Sequence, residues 1–192
     1  MKIPAPPGAT PLDPDEAAGL IPAIATQGEL DAFEQANITD AETWALARKR
    51  PEVLNDAFVR GLHRRMFNQV WKWAGRYRTS DKNLGVPWPQ IPVKVGQLCA
   101  DVQHWIAQGT YGWDELGARF HHRLVAIHPF ANGNGRHARL MTEVLLFKHG
   151  QTLFTWGRNT LAKPGQARTR YIAALKAADT RDYTSLIAFV RS

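Results

Sequence analysis

The sequence predicts an all-α fold interrupted by one small β-hairpin. Three observations carry that prediction. Apolar residues recur at three- and four-residue spacing, as in Phe58, Leu62, Met66, Val70 and again in Leu116, Phe120, Leu124, Ile127. That is the period of helices with one buried face. Residues with helix-start and helix-stop chemistry flank such stretches: Thr26, Asp40 and Asn55 as N-caps, Gly150 as a C-terminal glycine. Only Gly75 to Val95 breaks the helical rhythm between these elements.

In chain order, residues 1–24 are an arm, either mobile or laid over the body, and six of the twelve prolines fall before residue 23. Thr26-Gln27-Gly28-Glu29 has capping-box form and opens a short helix through Leu30 and Phe33. Helices are predicted over Asp40–Arg50 and Asn55–Trp73, with Trp71 and Trp73 in the core. Arg76-Tyr77-Arg78-Thr79 is β-compatible, Ser80 to Gly85 reads as a turn, and Gln90 to Val93 returns. Pro87, Pro89 and Pro92 exclude a central strand but permit an exposed edge. Helices follow over Val93–Ala107, Asp114–Ile127, the stretch carrying Leu140, Val144 and Phe147, then Gly165–Ala178 and Asp182–Val190.

Composition bounds the function. A chain of 192 residues can bury one substantial core. The single Cys99 excludes an internal disulfide framework, fits a reducing compartment, and reads as a small buried side chain. No apolar run reaches membrane-spanning length and no signal-peptide pattern opens the chain, so a cytoplasmic location is expected. Lys and Arg number 24 against 17 Asp and Glu, a formal charge of +7. That suits a nucleotide site as well as nucleic acid. The basic residues are scattered and no helix-turn-helix, RNP or zinc-finger spacing accompanies them, so nucleic acid is the weaker reading.

Chemistry concentrates in His128–Arg139, H-P-F-A-N-G-N-G-R-H-A-R. The string lies between two helices, and its second half opens the later one. A helix N-terminus presents unpaired N–H groups and partial positive charge, which suits phosphate. Gly133 and Gly135 permit the backbone turns that aim N–H groups at an anion. Arg136 and Arg139, three apart, project from neighbouring positions and fork onto phosphate oxygens. His128 precedes the cradle as a candidate general base. Singly, each feature has an ordinary explanation: a helix-terminal histidine, a turn, two solvated arginines. Their joint occurrence points to phosphate-ester chemistry. His121 and His122 form no standard zinc spacing with His128, and no metal ligand is assigned. His137 and His149 are weak catalytic candidates.

This string resembles the signature of the Fic/Doc family, H-x-F-x-(D/E)-G-N-(G/K)-R-x-x-R, at every position but one: Asn132 stands in the acidic place. The resemblance extends loosely from about residue 50 to the end, and H-P-F-x-N-G-N-G-R-H-A-R is similar to the mobile mystery protein B subgroup of bacterial mobile elements. It implies a Fic helical bundle over 25–192 and a hairpin flap at 75–95 where a target segment adds as a strand. His128 would be the base that deprotonates a target hydroxyl, and Phe130 a buried anchor. Asn132, Gly133, Asn134 and Gly135 would line the nucleotide phosphates, the Asn134 amide contributing donors. Arg136 and Arg139 would hold the terminal phosphates and orient the α-phosphate for in-line attack, Arg136 counting with His128 as catalytic. The family reaction moves AMP from ATP to a protein hydroxyl.

Asn132 offers a neutral oxygen where the family places a Mg²⁺-holding carboxylate, so Mg²⁺ would arrive with ATP and be weakly held by the protein. Slow AMP transfer, a changed nucleotide or reaction, and a nucleotide-binding module without catalysis all stay open. So does a toxin component controlled by a separate antitoxin protein. The family's inhibitory helix, (S/T)-x-x-x-E-(G/N), pairs its Glu with the last motif arginine. Neither Glu29 nor Glu34 has Ser or Thr four residues earlier, so a plain helix cap is preferred over inhibition.

Overall fold

The computed structural model describes residues 12–47, 52–158 and 165–192. Among these it contains eight α-helices: α1 (Pro14–Ala17), α2 (Gln27–Leu46), α3 (Asp56–Phe67), α4 (Ile91–Gln108), α5 (Trp113–Ile127), α6 (Asn134–Lys148), α7 (Gln166–Asp179) and α8 (Thr184–Val190). The all-α class holds. Helices α2 to α6 share the larger core, which includes Leu62, Met66, Phe67, Phe120, Phe130 and Met141. A second cluster around Leu146, Trp156, Tyr171 and Leu186 packs α7 and α8 onto the outer side of α5 and α6. Helix α6 reaches both clusters, so its N-terminus is held from two sides.

Two predicted helices are one. Helix α2 runs unbroken from the Thr26 capping box, where Thr26 Oγ1 accepts from the Glu29 amide at 3.2 Å and Glu29 returns to the Thr26 amide at 3.0 Å. Asp40 is an interior residue, not an N-cap. The polar run that looked like a break is absorbed locally. Asn37 is buried, donating to the Arg65 carbonyl at 2.8 Å and accepting from the Gln69 amide at 3.0 Å. Thr39 and Thr43 bond back to carbonyls four residues earlier. Residues 48–50 of the predicted Asp40–Arg50 helix lie outside the described residues.

Helix α3 has Asn55 as its N-cap, accepting from the Phe58 amide at 2.8 Å, but ends at Phe67 rather than Trp73. Turns occupy the interval, and Trp71 is buried as expected, while Trp73 packs against the core half-buried.

The hairpin over 75–95 does not form: the segment is an irregular loop that enters a short 3₁₀ turn, Trp88–Gln90, and then α4. Proline chemistry explains this. Pro92 lies in the first turn of α4, where its missing N–H costs nothing, so Gln90 to Val93 start a helix instead of returning as a strand. The Arg78 side chain also takes the Ser80 and Val86 carbonyls that a strand partner would need.

The arm is laid over the body where it is described, from residue 12; residues 1–11 lie outside the described set. Leu20 makes an antiparallel bridge with Trp71, and the Lys72 amide donates to the Gly19 carbonyl at 2.9 Å. Lys82 is held by Asp13 and Glu16, each at 2.7 Å. No helix of the described residues is long and apolar enough to cross a membrane.

Candidate active site

Helix α5 stops at Ile127 because Pro129 disfavours helical geometry in the residue before it. His128 caps it in the left-handed region, φ 54° and ψ 60°. For an L-residue this costs about 1–2 kcal/mol and persists only when neighbours fix it. The neighbours here are Arg78 and Val86. The Arg78 amide donates to the Pro129 carbonyl at 3.0 Å, its Nε to the His128 carbonyl at 2.7 Å, and the Val86 amide to the Ile127 carbonyl at 3.3 Å.

The imidazole of His128 is largely buried, 7 % exposed for the residue. Burial first, then the Arg78 and Lys82 cations, lowers its pKa from 6.5 to about 4, with a backbone bond at Val125 opposing. It is therefore neutral at physiological pH and able to accept a proton.

Phe130 is fully buried. Its ring stacks on His63 at 3.7 Å between centroids and meets His137 edge-on at 5.0 Å. His63 joins two loops: Nδ1 accepts from the Gly75 amide at 3.0 Å, which leaves Nε2–H to donate to the Asn132 carbonyl at 3.1 Å. Burial keeps His63 and His137 neutral, the latter lowered to about 4 with Nε2 bonded to the Val59 carbonyl at 2.8 Å.

At the start of α6 the backbone lies open, and the Asn134 side chain turns inward. Gly133 caps α6 at φ 75°, and a Cβ there would stand 2.5 Å from the Phe67 ring, so only glycine fits. At Gly135 an added Cβ would meet nothing nearer than Tyr171 Oη at 3.9 Å, leaving an open face over the first turn. No side chain caps α6, and its first intrahelical bond at this end is His137 N–H to the Gly133 carbonyl. The amides of Asn134, Gly135 and Arg136 are thus the unsatisfied donors of a helix start. The Asn134 side chain, expected to reach phosphate, instead staples the loop, donating to the Phe130 carbonyl at 2.8 Å and accepting from its amide at 2.9 Å. Its contribution to an anion falls to its backbone N–H.

The two arginines diverge. Arg139 lies over the rings of Tyr171, 4.7 Å, and Trp156, 5.8 Å, with its buried Nε lacking a hydrogen-bond partner. Arg136 packs on Phe67 at 5.0 Å and its Nη1 contacts Glu34 Oε2 at 2.6 Å. Glu34 is buried, and its other oxygen accepts from Trp71 Nε1 at 2.6 Å. Glu29 closes the capping box of Thr26, whereas Glu34 reaches the motif.

The site does not fit a protein-built Mg²⁺ centre. Asn132 Oδ1 already accepts from the Gly133 amide at 2.6 Å, the nearby carboxylate of Glu34 is paired with Arg136, and no cluster of metal-ligating side chains exists among the described residues.

With this geometry in place, comparison defines the class. Residues 53–146 match the model of the Fic/DOC family. The chain belongs to that family. Protein adenylyltransferase fic-1 of Caenorhabditis briggsae is 30% identical over 149 residues, 76% of this chain and 28% of the relative. The chain thus spans little more than a quarter of the curated relatives it matches. Among solved structures, a Fic-1 fragment from Caenorhabditis elegans is 24% identical with a TM-score of 0.60, covering 92% of this chain and 51% of that one. BepC of Bartonella tribocorum, solved with bound AMPPNP, is 16% identical with a TM-score of 0.68, covering 93% of this chain and 97% of that one. These two likenesses establish the fold.

Proposed function

We propose that this Fic domain transfers AMP from ATP to a Ser, Thr or Tyr hydroxyl of a target protein. The observation that carries the reading is a neutral His128, fixed in a left-handed conformation, one loop away from the uncapped start of α6. Relatives named protein adenylyltransferases support the reaction type. His128 takes the hydroxyl proton as the oxygen attacks the α-phosphorus. The bond from that phosphorus to the bridging oxygen breaks and pyrophosphate leaves. The amides of Asn134, Gly135 and Arg136, with the guanidinium groups of Arg136 and Arg139, take up charge on the phosphate oxygens. Any Mg²⁺ would be held mainly by the nucleotide, supplying charge neutralisation. The target approaches along residues 75–95, where Leu84 and Trp88 are exposed.

As the chain stands, Glu34 occupies the guanidinium that phosphate would use, so nucleotide binding and this ion pair compete. The family's acid–arginine contact involves the last motif arginine; here Glu34 meets the first, Arg136, and Leu30 stands four residues earlier where the family has Ser or Thr. Incubating the protein with a cell lysate and ATP labelled at the α-phosphate tests the reading. Labelled protein bands that vanish with His128→Ala support it, and equal labelling by the variant removes His128 as the base.

A second reading, nucleotide binding without transfer, is favoured by one observation: Asn132 Oδ1 is committed to its own loop. Calorimetry showing ATP binding, with no labelled target under any divalent cation, selects it.

A further inference from the structure

Arg78 is buried, while the carboxylate paired with it, Asp81, faces solvent. Its side chain is 0% exposed, and the neighbouring acid, Asp81, stands 3.5 Å away with 66% of its side chain in solvent. Burying a guanidinium is costly unless its N–H groups find acceptors. Here they find three backbone carbonyls: His128 from Nε at 2.7 Å, Ser80 from Nη1 at 2.8 Å, and Val86 from Nη2. Ser80 and Val86 bracket one loop, so a single side chain sets that loop's width and ties it to the carbonyl of the histidine. Inside the loop, a Cβ added at Gly85 would stand 2.6 Å from Arg78 Nη2 and 2.7 Å from His128 Cβ. Loop, guanidinium and histidine Cβ pack so closely that any side chain at position 85 would collide with both.

The phosphate cradle is elsewhere. The donors of Arg78 point at these three carbonyls and, from Nη1, at Asp81, and not at the α6 amides, Arg136 or Arg139. A role in gripping nucleotide is therefore the poorer account of this residue. The left-handed backbone of His128 needs an external fixture, and the bond from Arg78 Nε to its carbonyl is charge-assisted and directional.

We infer that Arg78 is a positioning residue for the transfer reaction, locking the His128 carbonyl, and with it the direction of the imidazole, against the 80–86 loop. The inference rests on His128 being the base. Lysine cannot substitute, because an ammonium lacks the planar fork that reaches three diverging carbonyls.

Arg78→Lys keeps the charge and loses the fork. Its kcat for transfer should fall about 100-fold, the scale of a small misplacement of a reacting group, while KM for ATP stays within about threefold. In Arg78→Ala, millimolar guanidinium should restore at least about tenfold in kcat and ammonium should not. Unchanged kcat in Arg78→Lys, or a fall in kcat and melting temperature together with a rise in KM and no guanidinium rescue, overturns the inference. Hydrogen exchange in Arg78→Lys separates this from the reaction itself. The Val86 amide and the amide at position 78 should exchange at least about tenfold faster with the melting temperature retained, whether or not the wild-type chain transfers AMP. Unaltered exchange at both amides sinks the inference, whereas absence of transfer by the wild type sinks only the proposed reaction.

Discussion

Glu34 and Arg136, 102 residues apart in sequence, are joined at 2.6 Å between Oε2 and Nη1. Glu34 is held in place by Trp71 and lies on the buried face of α2 with Leu30, Ile38 and Ala41. The contact links the first long helix to the N-terminal end of α6.

Removing the carboxylate should release the arginine. Glu34→Gly is expected to tighten ATP binding and to raise transfer by about tenfold or more, equivalent to about 1.4 kcal/mol. Calorimetry and initial rates with the labelled nucleotide measure both. Lower affinity in Glu34→Gly would mean that the glutamate organises Arg136 for the ligand instead of competing with it.

The two glycines of the cradle should separate folding from binding. Gly133→Ala places a methyl 2.5 Å from the Phe67 ring at a positive φ, so it should lose about 1–3 kcal/mol of stability in urea unfolding. Gly135→Ala meets only Tyr171 Oη at 3.9 Å and should keep its stability while losing ATP affinity, because the methyl fills the face a phosphate needs. Equal stability of the two variants would show that the Gly133 turn is not constrained as described.

The buried histidines give acid lability with a defined sign. His121, His128 and His137 are lowered from 6.5 to about 3, 4 and 4, chiefly by burial. A lowered histidine pKa means that the unfolded chain binds more protons between those values and 6.5. Each group's stabilisation is complete above pH 6.5 and is lost as pH falls toward the folded values. The slope approaches 1.4 kcal/mol per pH unit per histidine, about. Melting temperature should drop by several degrees between pH 7 and pH 5, and a flat profile would contradict the burial of these rings.

Asn132→Asp tests the metal side of the site. The new carboxylate beside the Gly133 amide should raise both Mg²⁺ affinity and Mg²⁺-dependent transfer. A rate and a cation dependence identical to the wild type would show that nucleotide-borne metal suffices.

The motif was legible because local chemistry dictates it: a proline ends α5, a glycine turns the loop, and a helix start presents its amides, all within twelve residues. Long helices with one buried stripe were legible for the same reason. Three residues were hidden because their partners are distant. Glu34 had a signal, an acid at helical spacing with Leu30, Ile38 and Ala41, which a template requiring Ser or Thr passes over. Arg78 and His63 gave none, since their partners are backbone atoms that the fold alone brings near. The hairpin failed at Pro92, equally suited to an edge strand and to a first helical turn. The split of α2 before Asp40 failed likewise, because a polar residue such as Asn37, which bonds across to Arg65 and Gln69, is indistinguishable in sequence from a helix break.

The most direct test compares ATP labelled at the α-phosphate with ATP labelled at the γ-phosphate, using Glu34→Gly and Glu34→Gly/His128→Ala. The expected result is protein labelling from the α position only, lost in the double variant. Labelling from the γ position, or α-labelling that survives without His128, would contradict AMP transfer by this histidine.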